Sequence, residues 1–191
     1  MPSGRIHDRV TLWSLPWIAG GTFAVTGSGE LTLIITGGFL FSGLMFGPDL
    51  DIYSVQFKRW GKLRWLWIPY QKALSHRSKL SHGFLIGTIL RVLYLGVILW
   101  GVSLLGIAIA QLIWGFAWNW QRVVINSWQN FPRYQAEAIA LFVGLELGAM
   151  SHSLADWTGS THKRIQRKGW KTLLPQAKKR KTRRKTLAKR Q

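Results

Sequence analysis

The chain has no cysteine among its 191 residues. That absence excludes disulfides and thiolate metal sites, leaves the redox compartment open, and restricts any tight metal site to imidazole and carboxylate ligands. Acid is nearly as scarce, with 7 Asp and Glu against 26 Lys and Arg and a net charge of +19. The search for ligands is thus confined to 5 His and 7 acids. There is no Gly-rich phosphate loop, no nucleotide fingerprint and no folded nucleic-acid motif. No Ser-His-Asp nucleophile context is present either, and Ser81 beside His82 reads as a helix cap.

Charge is also missing locally. Val92 to Gln121 is a run of 30 residues without a formal charge, longer than the roughly 20 that cross a bilayer. Leu12 to Thr26 and Leu31 to Gly47 are shorter uncharged stretches near the lower limit for a span. Ala138 to Ala155 is apolar apart from Glu146, His152 and a few Ser. Together they predict an all-α fold, a polytopic membrane helical bundle of about four transmembrane helices over residues 1–162. A disordered polybasic tail follows at 163–191, with 14 of the 26 basic residues and no acid.

A soluble all-α domain with unusually apolar helices is the alternative, and a cleaved leader is a second alternative for the first stretch alone. Against the leader, Pro16 and Gly20-Gly21 interrupt the run and the next apolar stretch follows almost at once, as in a helical hairpin. Trp13, Trp17, Trp60, Trp65, Trp67 and Trp157 flank one side of the expected spans, and Trp114, Trp118, Trp120 and Trp128 the other, like two interfacial belts.

Four spans put both termini and the Asp49 to His82 connection on one side. That side carries 23 of the 26 basic residues, so the positive-inside rule places both termini in the cytoplasm. The tail then lies where anionic headgroups are, and membrane lipid is the expected partner; nucleic acid is the less favoured one. The connection, rich in Trp, Lys and Arg, is expected to rest on the interface and to cover a site as a lid.

The scarce ligands gather on this same side. His7 precedes the first span, Pro48-Asp49-Leu50-Asp51 ends the second, His76 and His82 precede the third, and His152 with Asp156 ends the fourth. Pro48 is expected to turn the chain out of its helix, leaving Asp49 and Asp51 in an extended segment that projects them to one side. His152 and Asp156, four apart, share one helix face. Each signal is weak alone, since a His is commonly a hydrogen-bonded structural residue and an Asp after Pro a turn. Clustered at one membrane face they point to a divalent metal site, zinc first, with manganese or iron as alternatives.

Seven candidates (His7, Asp49, Asp51, His76, His82, His152, Asp156) exceed the four ligands of one tetrahedral zinc. They suit two ions, or one ion with an acid-base set, and hydroxide attack on a phosphate or acyl centre. Arg77 is the candidate to hold an anionic substrate oxygen. Within the spans, Arg91 and Glu146 stand at matching depth and are expected to pair.

The segments Gly4-Arg5-Ile6-His7-Asp8-Arg9, Pro48-Asp49-Leu50-Asp51, Arg59-Trp60-Gly61 and Leu80-Ser81-His82-Gly83 together resemble a bacterial family of uncharacterised metal-binding proteins, over most of residues 4–165. The Pro-Asp-x-Asp, His-Arg and Ser-His-x-x-x-Asp elements are also similar to those of YdjM-like inner-membrane metal-dependent hydrolases. That likeness implies metal ligands among Asp49, Asp51, His76, His82, His152 and Asp156, with His7 matching an early His. The sequence departs from the hydrolase pattern at Ser78-Lys79-Leu80-Ser81, where the pattern has a shorter spacing. The resemblance leaves two functions open: a membrane-bound metal-dependent hydrolase of phosphate or carboxyl esters, or a non-catalytic metal-binding membrane protein.

Overall fold

A computed structural model of the chain describes residues 4–76, 78–115 and 118–169, with the side chains of Lys79, His82 and Lys168 left out. The described residues form helices and turns, with no strand among them, as the apolar runs predict. Helix α1 (Gly4–Thr26) and α2 (Gly29–Leu44) make the expected hairpin. The reversal falls at Gly27, whose φ of +62° suits a residue without Cβ, and Ser28 caps α2 by accepting from the Leu31 N–H at 3.3 Å.

After a 3-10 turn at Pro48–Asp51, the connection folds as α3 (Val55–Arg59), a 3-10 segment (Gly61–Trp67), α4 (Ile68–Ala73) and α5 (Lys79–His82). It contributes to a core. Phe46, Leu50, Phe57, Trp67, Tyr70 and Leu145 form one buried cluster, with Trp60 and Tyr94 packed against it. Trp67 is fully buried, so it belongs to a core, whereas Trp13, Trp17, Trp65 and Trp157 are exposed as belt residues would be. The expected belt therefore loses Trp67, because a folded connection offers its ring apolar neighbours in place of the interface.

Long helix α6 (Ile86–Trp114) leads through α7 (Trp120–Asn130) and a 3-10 turn (Phe131–Tyr134) to α8 (Gln135–Lys168). Helices α2 and α8 lie backbone to backbone. A Cβ on Gly144 would run into the Ile35 carbonyl and one on Gly148 into the Phe39 carbonyl. Small residues at this spacing permit such an approach, as in membrane helix pairs. In α6 only Gly87, Thr88 and Arg91 are buried, and in α7 no residue is.

Among the described residues three helical stretches are long and apolar enough to cross a membrane: Gly29–Asp51, Ile86–Trp114 and Trp120–Arg167. The expected first span is not among them, because the first turns of α1 carry Arg5, Asp8 and Arg9 and the apolar remainder is short. Helix α8 continues through Lys168, into the segment expected as tail; residues 170–191 of that tail lie outside the described residues.

Candidate metal centre

The start of α1, the turn after α2 and the middle of α8 converge at one place. His7 and His152 stack ring on ring, with centroids 4.0 Å apart and planes 20° from parallel. His7 Nε2 lies 3.3 Å from Asp156 Oδ1, and His152 Nε2 lies 3.2 Å from Asp49 Oδ2. Both His are buried, and His7, His152 and Asp156 each offer a ligand atom within 4.8 Å of the other two.

These contacts are poor hydrogen bonds and good ligand spacings. His152 Nε2 makes no hydrogen bond among the described residues despite its neighbour. Two ligands about 2.0–2.1 Å from one tetrahedral zinc stand roughly 3.3 Å apart, which is the spacing here. The donor set of imidazole nitrogen and carboxylate oxygen therefore fits a divalent ion.

A second group adjoins the first. Asp49, Asp51 and His76 also bring ligand atoms within 4.8 Å of one another. His76 Nδ1 is 2.9 Å from Asp51 Oδ1, and the Ser81 hydroxyl donates a short hydrogen bond to Asp51 Oδ2. This half resembles the carboxylate–histidine arrangement that orients metal ligands. Asp49 belongs to the second group and touches His152 of the first, so the two groups are continuous through one carboxylate.

The expected extended segment for Asp49 and Asp51 is instead the 3-10 turn opened by Pro48, whose ring sets a helical φ at the first position. The two carboxylates still come within ligand range of each other, while Asp49 also reaches His152 and Asp51 reaches His76 and Ser81.

Three residues outside the expected set hold this geometry. Asp8 accepts two hydrogen bonds from Arg59, Nη1 to Oδ1 at 2.8 Å and Nη2 to Oδ2 at 2.5 Å, while Arg59 Nη1 also donates to the Leu44 carbonyl at 2.9 Å. The fork ties the start of α1, and with it His7, to α3 and the end of α2. Gln56 Nε2 donates to the Gly43 carbonyl at 3.0 Å and stands 3.4 Å from His152 Nδ1, on the far edge of that ring. A bidentate pair between distant segments has no local sequence signature; Asp8 and Arg59 both stand in recognisable segments, but nothing in their spacing pairs them.

Burial, and next the neighbouring His152, hold His7 below the ordinary imidazole value against the opposing pull of Asp156, Asp49 and Asp8. A neutral imidazole is the form that ligates metal. An open pocket of about 250 Å³ lies over this half, lined among others by Tyr53, Lys58 and Arg59.

The structure thus brings together His7, Asp49, Asp51, His76, His152 and Asp156. His82 ends α5 one residue from Ser81, but its side chain lies outside the described residues, as does Arg77. The expected Arg91–Glu146 ion pair is not formed. Arg91 donates to the Ser81 carbonyl at 3.2 Å and to Thr88 Oγ1 at 2.9 Å, and Glu146 Oε1 accepts from the Leu85 N–H at 3.0 Å. Equal depth brings both to one cavity, where nearer partners satisfy them first.

A family model described as uncharacterized metal-binding protein (DUF2227) matches residues 2–166. No curated protein and no solved structure matches the chain. The match covers the whole of the converging site. The chain belongs to this metal-binding family.

Proposed function

We propose that this member of the metal-binding family is an integral membrane protein with both termini in the cytoplasm, whose two half-sites, sharing Asp49, each hold a divalent ion and together hydrolyse a phosphate or carboxyl ester. The observation that carries the reading is Asp49 itself, which faces His152 in one half and joins Asp51 and His76 in the other. His7, His152 and Asp156 would hold one ion and Asp51 with His76 the other, with Asp49 common to both. Zinc suits these donors best, with manganese or iron as alternatives.

Ions held there would supply Lewis-acid polarisation of a phosphoryl or acyl oxygen. The chain's own residues do the rest. Lys58, which lines the open pocket and sits 4.7 Å over the Tyr53 ring, is placed to receive an anionic substrate oxygen. Asp156, less buried than the two His, would hold its ion from the pocket side. Arg77, by its position beside His76, would add a second anion contact.

The membrane reading is supported by three span-length apolar helices and by the distribution of basic residues. The charged tail would rest on anionic headgroups. A second reading, a metal that only staples α1 to α8, is favoured by the burial of His7 and His152. Purified protein loaded with zinc or manganese and assayed on generic phosphate and carboxyl esters separates the two: turnover abolished by Asp49→Asn supports the hydrolase. Metal-replete protein without turnover supports the staple.

A further inference from the structure

Arg91 and Glu146 do not pair with each other, and each reaches instead the short junction between α5 and α6. They are 1% and 7% exposed, and charges buried in long apolar helices are costly unless they are bonded. Their partners are therefore informative.

Arg91 works from within α6. Its Nη1 donates to the Ser81 carbonyl at 3.2 Å and its Nη2 to Thr88 Oγ1 at 2.9 Å, while the guanidinium also faces Tyr70 of the connection's core. The first turn of α6 lies directly on the same carbonyl, since a Cβ on Gly87 would come within 2.6 Å of it. Glu146 reaches the junction from α8, where its Oε1 accepts from the Leu85 N–H at 3.0 Å. Leu85 has a φ of +60°, alone among the described non-glycine residues. Such a backbone persists only where the surroundings hold it, and the Glu146 carboxylate supplies that hold.

What this clamp fixes is Ser81. The Ser81 N–H donates to Ser78 Oγ at 3.2 Å, and its carbonyl is taken by Arg91. The hydroxyl has one proton to give, and gives it to Asp51 Oδ2. The other carboxylate oxygen, Oδ1, then stands 2.9 Å from His76 Nδ1. A hydroxyl that sets the rotation of a carboxylate in this way is an outer-shell partner of a metal ligand.

We propose that Arg91 and Glu146 are positioning residues of the second half-site, acting through the α5–α6 junction and the Ser81 hydroxyl to set the rotation of Asp51. The proposal rests on reading Asp49, Asp51 and His76 as ligands of an ion. It accounts for two buried charges that neither ligate nor pair with each other.

The test is zinc affinity, by chelator competition, on full-length protein in two backgrounds: His7→Ala, which keeps the second half-site, and His76→Ala, which keeps the first. One ion bound by the His7→Ala protein supports the half-site reading; no ion there overturns that reading and the proposal with it. Ser81→Ala, Arg91→Met and Glu146→Met should each weaken binding about tenfold or more in the His7→Ala background, and less than about threefold in the His76→Ala background. Ser81→Ala removes a single oxygen and suffices if a helix variant does not fold. Because Arg91 acts through Ser81, adding Arg91→Met to Ser81→Ala should weaken the ion no further. Equal losses in both backgrounds, or additive losses in the double variant, would overturn the proposal. So would full affinity in Ser81→Ala, which leaves the half-site reading intact.

Discussion

Asp49 Oδ2 and His152 Nε2 stand 3.2 Å apart, one in the turn after α2 and the other in the middle of α8. Their meeting depends on how closely those two helices pack, which Gly144 and Gly148 allow. Gly148→Leu should therefore destabilise the protein by at least roughly 1–3 kcal/mol, the usual cost of overpacking against something that cannot yield. It should lose bound metal in the same preparation. Thermal melts with metal analysis on one sample check both.

The bidentate Asp8–Arg59 pair is partly exposed, with side-chain accessibilities of 25% and 32%. Its contribution to stability should accordingly be small, at most about 1 kcal/mol. Its effect on metal should be larger, because it seats the turn that carries His7: Arg59→Met is expected to weaken zinc binding about tenfold, the lower end for an outer-shell partner. Competition with a colorimetric chelator, beside a melt, separates the two effects.

Trp67 is the centre of the connection's core, in edge or tilted contact with Phe46, Trp60, Tyr70 and Tyr94. Trp67→Ala should cost about 3–5 kcal/mol. Replacing the exposed Trp17 instead, Trp17→Ala, should leave the melt nearly unchanged. Equal effects would contradict the assignment of Trp67 to a core.

The chain's lack of cysteine makes its topology directly readable. Ser75→Cys, on the connection, and Gln129→Cys, on α7, both occupy exposed positions. In intact cells a membrane-impermeant maleimide should label Gln129→Cys at once and Ser75→Cys only after permeabilisation. The reverse pattern would invert the orientation.

Much of this arrangement was legible from local spacing. His152 and Asp156 announce a shared helix face at four residues' separation, and Pro48 announces the turn that carries Asp49 and Asp51. What spacing cannot carry is which face meets which. The stacking of His7 on His152, and the separate partners of Asp49 and Asp51, follow from tertiary packing and from a 3-10 turn that a Pro-Asp-x-Asp string does not distinguish from an extended one. Arg91 and Glu146 show the same limit from the other side. Depth along a helix is readable from sequence, but rotation about its axis and nearer backbone partners decide the hydrogen bonds.

The central claim is a centre in which Asp49 serves two half-sites. Its most direct test is divalent metal per chain, measured by elemental mass spectrometry on full-length protein purified without chelator, for wild type, His7→Ala, His76→Ala and Asp49→Asn. The account predicts two ions in wild type, one in each His variant and fewer than one in Asp49→Asn. A wild type without bound metal, or an Asp49→Asn protein that keeps the wild-type stoichiometry, would contradict it.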